Sequence, residues 1–209
     1  MILLSFEEWE PWYREILAYF AFDPVMDEES AHVLAGLTHR DDLSDLDRRC
    51  RGKTVTICGN ARSLRQELEC IQGVVFAADA AALVLFRNDI LPDAVFTDLD
   101  GATEEFPVMN EQGTIMVVHA HGDNIPLLRY WVPRFHGPFV ATTQGRPFSH
   151  VHNFGGFTDG DRAAFAAHSL GARKVAFIGF DLDDTAVDPL KQGKLHWARK
   201  LLALLGHDL

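Results

Sequence analysis

The feature that most constrains this chain is an alternation, from Lys53 onward, of short β-branched apolar runs with helical stretches. Strands that alternate with helices in this way form a parallel sheet with helices packed on its faces. The predicted strands are Val55–Cys58, Val74–Ala77, Ala94–Thr97, Thr114–His119, Phe139–Thr142 and Lys174–Phe180. The predicted helices are Arg62–Ile71, Asp79–Asn88, Asn124–Trp131, Asp159–Leu170 and Lys191–Leu205. We therefore expect an α/β fold, a three-layer domain built on a parallel sheet.

Residues 1–49 have a different, helix-like pattern. A helix is predicted to begin near Ser5 and to end at Asp23-Pro24, because one apolar stripe repeats at three- and four-residue spacing, formed by Phe6, Trp9, Tyr13, Ile16, Leu17 and Phe20. A second helical stretch is predicted over about 27–49. We expect an N-terminal helical segment at 1–49, packed on the main domain or on a partner subunit in a homodimer, and an α/β catalytic domain at 50–209.

The net charge and the cysteine content limit the classes of function that this chain is expected to have. The chain has 19 Lys+Arg against 30 Asp+Glu, a formal charge of −11, which argues against binding to nucleic acid or to an anionic membrane. No apolar run approaches membrane-spanning length, and the start lacks the basic region of a signal peptide. Three cysteines without CxxC spacing indicate reduced thiols. These features predict a cytoplasmic protein.

Two carboxylates, Asp98 and Asp100, directly follow the third predicted strand and precede Gly101. Side chains two residues apart leave a strand on the same side, so these acids are predicted to lie together at the carboxyl edge of the sheet, where parallel sheets bind ligands. Two close anions need a shared cation or a proton. Mg²⁺ is the cation that suits oxygen ligands and phosphate substrates. The alternative is a solvated Asp-x-Asp-Gly turn.

Polar residues also follow the first two strands. Gly59 opens a turn into a helix whose first residues include Asn60 and Ser63, so main-chain N–H groups and the helix dipole there are predicted to hold an anion. A simple capped helix is the alternative. Asp79 follows the second strand and is interpreted as a helix N-cap or as a contact to a nucleotide ribose.

The fourth strand ends in a polar cluster. By the two-residue period, His119, His121 and Asp123 are predicted to point the same way. Asp123 then either joins the metal ligands or caps the next helix. After the fifth strand, a long loop over 144–154 carries Phe148 and Phe154, which predicts a lid or binding loop, with a plain crossover as the alternative.

A further helix start follows this loop. Thr158 is a good N-cap, and Asp159 in the first turn suits the helix dipole, so capping explains much of the pattern. Gly155-Gly156 permits close approach of the backbone to a ligand, and Arg162 offers a phosphate contact. The last strand ends in a second acidic edge at Asp181.

Taken in order, five motifs carry a resemblance to a known family. They are Gly59-x-x-x-Ser63-Leu64, Thr97-Asp-Leu-Asp-Gly101, His119-Ala-His-Gly-Asp-Asn124, Phe157-Thr-Asp-Gly-Asp-Arg-Ala163 and Gly179-Phe-Asp-Leu182. From Lys53 to the C-terminus the chain resembles archaeal 6-hydroxymethyl-7,8-dihydropterin pyrophosphokinases. That family looks related to thiamine pyrophosphokinases, so the resemblance implies a catalytic domain of thiamine pyrophosphokinase-like type. One departure is Asn60-Ala61-Arg62, which replaces a turn richer in glycine and proline.

The resemblance implies Mg²⁺-dependent transfer of diphosphate from ATP to the hydroxymethyl oxygen of the pterin, with release of AMP, in the synthesis of a methanopterin-type cofactor. Asp98 and Asp100 are the expected metal ligands, with Asp123 as a third, and His121 or Asp123 is expected to accept the hydroxyl proton. The expected ATP contacts are Gly59, Asn60, Ser63, Asp79, Gly155, Gly156, Thr158, Asp159 and Arg162. Phe148 and Phe154 are expected to stack on the pterin, and Asp181 to bind its amino edge.

Other function classes remain open at this stage. Asp98-Leu-Asp-Gly-Ala102 also resembles the opening motif of haloacid-dehalogenase-type phosphatases, although those enzymes place it on the first core strand. His119-x-His121-x-Asp123 resembles metallo-β-lactamase-type hydrolases, which have histidine where this chain has Asn124. A thiamine pyrophosphokinase-like activity and a non-catalytic nucleotide-binding module complete the alternatives.

Overall fold

The computed structural model describes residues 5–209; part of the opening stretch considered above for a signal peptide lies outside this range. Seven strands form one sheet: β1 (Thr54–Cys58), β2 (Val74–Ala78), β3 (Ala94–Thr97), β4 (Ile115–Ala120), β5 (Phe139–Thr143), β6 (Val151–His152) and β7 (Lys174–Ile178). Neighbours pair in parallel in the order β6-β5-β4-β3-β2-β1-β7. The predicted α/β fold with an N-terminal helical segment is confirmed.

Helices cover both faces of this sheet. They are α1 (Phe6–Phe20), α2 (Pro24–Leu37), α3 (Leu43–Cys50), α4 (Leu64–Glu67), α5 (Ala81–Phe86), α6 (Glu105–Glu111), α7 (Ile125–Trp131), α8 (Asp159–Ser169) and α9 (Pro189–Leu204). Besides shifts in the bounds of several elements, three details differ from the sequence prediction. The chain forms α6 and β6, which the pattern did not indicate, and the helix predicted over 27–49 is two helices separated at 38–42.

The strand order determines which helices lie on which face. A right-handed crossover places its helix on a face that depends on the direction in which the chain moves across the sheet. From β1 to β6 the chain moves in one direction, and the step from β6 to β7 reverses it. Accordingly α8 packs on the face that carries Phe96, whereas α5, α6 and α7 pack on the face that carries Val95.

The N-terminal helices contribute to both faces. Leu34 of α2 lies in the apolar cluster of the first face, and Leu46 of α3 lies in that of the second. Trp9 of α1 packs with Phe165 and Trp197 of α8 and α9. The predicted boundary at residues 49/50 falls in the last turn of α3, and the division into two parts stays a prediction. Among the described helices, none combines the length and the apolar character that crossing a membrane requires.

Candidate functional site: an acidic cluster at the carboxyl edge of the sheet

Three carboxylates from distant parts of the chain meet at the carboxyl edge of the sheet. Asp79 follows β2, Asp98 follows β3, and Asp159 begins α8, and one oxygen atom of each lies within 4.8 Å of the others. The reversed crossover brings them together, because it carries the first turn of α8 across the ends of β2 and β3. The sequence prediction included all three residues but assigned only Asp98 to a metal.

Asp98 is held in one orientation by its neighbours. Its Oδ1 accepts a hydrogen bond from the Asp100 N–H (3.1 Å), and its Oδ2 lies 3.2 Å from Nε2 of His121. Burial raises the pKa of Asp98, but the hydrogen bond and charge of His121, with the charge of Arg162, outweigh it and hold the pKa well below its usual range. Asp98 is therefore ionised at neutral pH.

Asp79 faces the cluster from a left-handed backbone conformation, with φ +45°. The Thr97 hydroxyl donates to its Oδ1 (2.6 Å), and Gly101 leaves room for its Oδ2, since a Cβ at that glycine would lie 2.0 Å from it. Burial, with the charges of Asp100 and Asp98, raises the pKa of Asp79 to about 6 against the opposing Thr97 hydrogen bond. The N-cap role predicted for Asp79 is wrong: Ala80 occupies that position, because the Asp79 side chain turns to the sheet edge.

Asp159 is paired with a buried cation. Its Oδ1 lies 3.4 Å from Nη1 of Arg162, whose side chain is 9% exposed. Burial and the charge of Asp98 raise the pKa of Asp159 well above its usual value, although Arg162 opposes them. Thr158 is the predicted N-cap, and its N–H donates to Oδ1 of Asp161 (2.8 Å) in a capping box.

The donor set fits a hard divalent cation. The cluster offers carboxylate oxygens, which are the ligands that Mg²⁺ prefers. The pKa values of Asp79 and Asp159 are raised, which means that these acids hold protons readily when no cation shares their charge. A cation bound here replaces those protons.

Asp100 borders the cluster, whereas Asp123 does not reach it. Burial and the charge of Asp98 raise the pKa of Asp100, and the charge of Lys194 lowers it, so both groups lie near the site. The Asp123 side chain is 97% exposed, with Oδ1 3.9 Å from Nδ1 of His121. β4 ends at Ala120 and the chain turns, so the two-residue period stops before Asp123. The expected convergence of Asp123 with Asp98 is wrong for this reason.

Two buried residues, Asn124 and Asp27, connect several segments at this edge of the sheet through hydrogen bonds. Asn124 donates to the main-chain carbonyls of Asp98 (2.9 Å) and His119 (2.7 Å), and its Oδ1 accepts from Ser30 Oγ (2.9 Å) and the His121 N–H (3.2 Å). Its hydrogen-bonding capacity is filled. The sequence placed Asn124 at the end of one of the five motifs and at a predicted helix start, but assigned it no role in the site.

Asp27 is the second such residue. It accepts hydrogen bonds from the Tyr13 hydroxyl (2.6 Å), the Gly122 N–H (2.7 Å) and the Gln144 side chain (2.7 Å). One buried carboxylate thus joins α1, α2, the turn after β4 and the end of β5. No local pattern distinguishes it from the other acids of the N-terminal segment.

The glycine turns predicted to bind phosphate, at Gly59 and at Gly155-Gly156, allow close packing between segments of the chain. The Gly59 N–H donates to the Ile178 carbonyl, and a Cβ at Gly59 would lie 2.5 Å from the Gly179 carbonyl oxygen. A Cβ at Gly156 would lie 2.7 Å from the backbone of Arg162, and one at Gly155 would meet the Phe165 ring. Asn60 is exposed, and Ser63 is partly buried and makes no side-chain cap to the four-residue α4.

His119 is buried on the α8 face. Thr142 Oγ1 donates to the Val118 carbonyl (3.0 Å), so it accepts from Nδ1 of His119 (3.1 Å) and leaves Nε2 of that ring as an acceptor. Burial lowers the pKa of His119 well below its usual value, so the ring is neutral. Nε2 of His119 and Nε of Arg162 lack hydrogen-bond partners among the described residues and line a cavity of about 10 Å³, the size of one water molecule.

The residues predicted to bind the pterin are widely separated. Phe148 packs on His32 near β5 and β6, and Phe154 lines the small cavity at His119. Asp181 is exposed beyond β7, at the opposite edge of the sheet. Five strand spacings separate β5 from β7, roughly 24 Å. The expectation that Phe148 and Asp181 contact the same pterin is therefore wrong.

The comparisons with known proteins agree on one family. Residues 30–186 match the family model described as 6-hydroxymethylpterin diphosphokinase MptE-like. The match begins within α2, so it includes part of the helical segment as well as the sheet.

Three curated archaeal relatives are named 6-hydroxymethyl-7,8-dihydropterin pyrophosphokinase. The protein of Methanothermobacter thermautotrophicus is 37% identical over 95% of this chain and 94% of its own length. The protein of Pyrococcus furiosus is 34% identical over 98% and 96%, and that of Methanocaldococcus jannaschii is 31% identical over 97% and 96%. Among solved structures, the MAf glycosyltransferase of Magnetospirillum magneticum aligns with a TM-score of 0.45 at 20% identity, over 66% of this chain and 24% of that chain.

Proposed function

The chain belongs to the 6-hydroxymethylpterin diphosphokinase MptE-like family, and from this membership we propose that it transfers diphosphate from ATP to 6-hydroxymethyl-7,8-dihydropterin. In this reaction the hydroxymethyl oxygen attacks the β-phosphorus of ATP. The bond from that phosphorus to the oxygen shared with the α-phosphate breaks, AMP leaves, and the hydroxyl group loses its proton.

The observation that carries the proposal is the cluster of Asp79, Asp98 and Asp159. Phosphoryl-type transfer depends on alignment and on neutralisation of charge more than on covalent help from the protein. A Mg²⁺ ion held by these carboxylates would supply that neutralisation. The protein carries a formal charge of −11, and ATP is also an anion. Binding of ATP at this edge of the sheet therefore needs a local positive charge, which a bound cation would supply.

The side chains around the cluster have separate tasks in this proposal. His121 fixes Oδ2 of Asp98, and Asn124 fixes the main chain of the same residue. Arg162, buried against Asp159, is the proposed phosphate contact, because a guanidinium at the first turn of α8 presents donors on the side where the phosphates lie. His121, in its uncharged form, remains the proposed acceptor of the hydroxyl proton. Asp100 is proposed as a further metal ligand, reached directly or through water.

The setting of the reaction is also part of the proposal. We place it in the cytoplasm, in the synthesis of a methanopterin-type cofactor. Support comes from the names of the relatives and from the free thiols Cys50, Cys58 and Cys70. The possible homodimer stays a prediction.

An assay of AMP formation tests the function. ATP, Mg²⁺ and the hydroxymethylpterin are incubated with the wild type, with Asp98→Asn and with Asp89→Asn. Asp98→Asn is expected to lower the rate by about a thousandfold, the scale of losing one preorganised electrostatic contact. Asp89 is exposed and follows α5, before β3 begins, so the same change there is expected to leave the rate within twofold.

The same assay separates the other function classes. Release of phosphate without AMP would indicate a phosphatase, and ATP binding without pterin-dependent AMP would indicate a regulatory module. Two tightly bound zinc ions per chain would favour a metallo-β-lactamase-type hydrolase. The comparisons do not favour these alternatives, and the buried Asn124 amide is committed to hydrogen bonds.

A further inference from the structure

A cavity of about 450 Å³ lies between the N-terminal helices and the loop that follows β5. Tyr13 and Pro24 border it from the helical segment, Thr143 borders it from the end of β5, and Arg146 borders it from the loop. The volume falls within the range of small-molecule sites in proteins. The cavity lies outside the carboxyl end of β5, on the same edge of the sheet as the acidic cluster.

The walls of the cavity combine two aromatic rings, tilted 41° to each other, with one exposed carboxylate. The rings of His32 and Phe148 lie with their centroids 4.6 Å apart and form one wall. Glu28 lies one helical turn before His32, with its Oε1 3.8 Å from His32 Nε2. The Tyr13 hydroxyl is already committed to Asp27, whereas the Glu28 side chain is 75% exposed.

Direct contacts join this cavity to the acidic cluster. Asp27, next to Glu28, accepts a hydrogen bond from Gly122, and the adjacent His121 contacts Asp98. β5 lies two strand spacings from β3, roughly 10 Å. Thr143 lines both this cavity and the small cavity at His119. A ring bound in this cavity would lie beside the strand ends that carry the acidic cluster, with Glu28 in the cavity wall.

We propose that this cavity binds the pterin ring of the acceptor, with His32 and Phe148 against the ring face and Glu28 on its amino edge. The proposal rests on the proposed function and locates its acceptor. The 2-amino group and the N3–H of a pterin form two parallel donors, which match the two oxygens of one carboxylate. The pairing edge of adenine carries one amino donor beside an acceptor nitrogen, so a carboxylate pairs poorly with it. Glu28 thus selects the pterin over the adenine of ATP.

This assignment gives the helical segment a function. Glu28 and His32 are both on α2, and Tyr13 on α1 completes the wall. Substrate selection is then performed by the N-terminal helices and the loop after β5, while the sheet edge carries the metal and the phosphates. Asp181, the residue that the sequence suggested for the amino edge, lies five strand spacings from β5.

The test compares Glu28→Gln with Glu29→Gln and Asp181→Asn. Glu29 is the matched control, because it is the next residue on α2, is exposed and does not line the cavity. Binding of the pterin alone is measured by its fluorescence, without ATP or metal, and the KM values for pterin and ATP are measured by AMP formation. Glu28→Gln is expected to weaken pterin binding about 10- to 100-fold, the loss of a charged hydrogen bond, with the KM for ATP unchanged.

Equal pterin binding by the wild type and Glu28→Gln would overturn the inference, as would a weakening in Asp181→Asn alone. A second variant, Phe148→Leu, is expected to weaken pterin binding without changing the KM for ATP, and unchanged binding would contradict the stacking role. Failure of the proposed function is a separate result. If the wild type forms no AMP but Glu28→Gln still loses pterin affinity, the site stands and the reaction does not.

Discussion

The side-chain amide of Asn124 donates a hydrogen bond of 2.9 Å to the main-chain carbonyl of Asp98. The turn after β4 is thereby fixed to the turn after β3, so contacts from another segment help to hold the end of β3 that leads into Asp98. A second N–H of the same amide holds the His119 carbonyl, at 2.7 Å. Because the residue is buried, water cannot replace these bonds when the amide is removed.

Asn124→Asp keeps the shape of the side chain and removes both donors. The carbonyls of Asp98 and His119 lose their partner, so we expect the free energy of unfolding to fall by about 3 kcal/mol. Unfolding in urea measures this change. The control is Asn88→Asp, an exposed amide that donates to the Val84 carbonyl, where we expect a loss below about 1 kcal/mol. Equal losses in the two variants would contradict the role given to Asn124.

Replacing Asp27 tests the link between the helical segment and the site. Asp27→Asn substitutes a donor for one acceptor oxygen, so its three hydrogen-bond donors cannot all be satisfied. We expect a loss of about 2 to 3 kcal/mol in unfolding free energy, against about 1 kcal/mol for Tyr13→Phe, which removes one of the three bonds. The test is which of the two variants loses more free energy of unfolding, as measured by unfolding in urea. A larger loss in Tyr13→Phe would place the stabilisation in the tyrosine instead.

Binding of a divalent cation is expected to depend on pH through Asp79. Burial, with its acidic neighbours, raises the pKa of this residue to about 6, and a cation must displace the proton. We therefore expect Mg²⁺ affinity to rise with pH through about 6, by up to about tenfold per unit for the proton that Asp79 loses, with the raised pKa of Asp159 adding to the rise. Calorimetric titration between pH 5 and 8 measures the profile. A flat profile in the wild type would contradict the assignment, and Asp79→Asn is expected to reduce the slope.

The same pKa has a consequence for stability without metal. A carboxyl whose folded pKa is above its unfolded value binds protons more readily in the folded state, so stability is highest below the ordinary aspartate range and falls as pH rises toward 6. Asp161, whose pKa burial also raises to about 6, acts in the same direction. We expect a higher Tm at pH 5 than at pH 7 without metal, and a smaller difference with Mg²⁺. The opposite sign would show that other groups dominate.

Gly156→Ala tests the position of Arg162. This glycine has φ +89°, and a Cβ would lie 2.7 Å from the Arg162 backbone, so alanine must displace the first turn of α8. Gly52→Ala is the control, since Gly52 also has a positive φ, +72°, but a Cβ there would meet no atom within 4 Å. We expect about 1 kcal/mol of destabilisation at Gly52 and at least about 2 kcal/mol more at Gly156, measured by thermal unfolding.

The sheet was largely predictable from the sequence because its strands are buried and apolar. Ala94–Thr97 is found with the predicted bounds, and the strand predicted as Lys174–Phe180 ends earlier, at Ile178, where Gly179 takes φ +66°. Two elements gave no usable pattern. β6 has only two residues, and α6 is a helix of seven residues with Pro107 in its first turn.

The candidate site was predictable only where a residue extends a strand. Asp98 follows β3 directly, so its position at the sheet edge could be inferred. Asp79 faces the cluster because its backbone is left-handed, and Asp123 lies beyond the end of β4. Neither property can be inferred from the spacing of residues in the sequence. Asn124 and Asp27 act through contacts between distant segments, which a single sequence does not reveal.

The sheet order has a consequence for how the protein folds. β6 and β7 lie at opposite edges, so the connection that contains α8 must span the sheet before Asp159 meets Asp79 and Asp98. Such non-local pairing is slow, because the entropy of closing a long loop is lost before any contact compensates for it. We therefore expect the three carboxylates to come together late in folding, after the strands between the two edges have paired. A nascent chain in which the connection with α8 has not yet crossed the sheet would lack the complete carboxylate cluster.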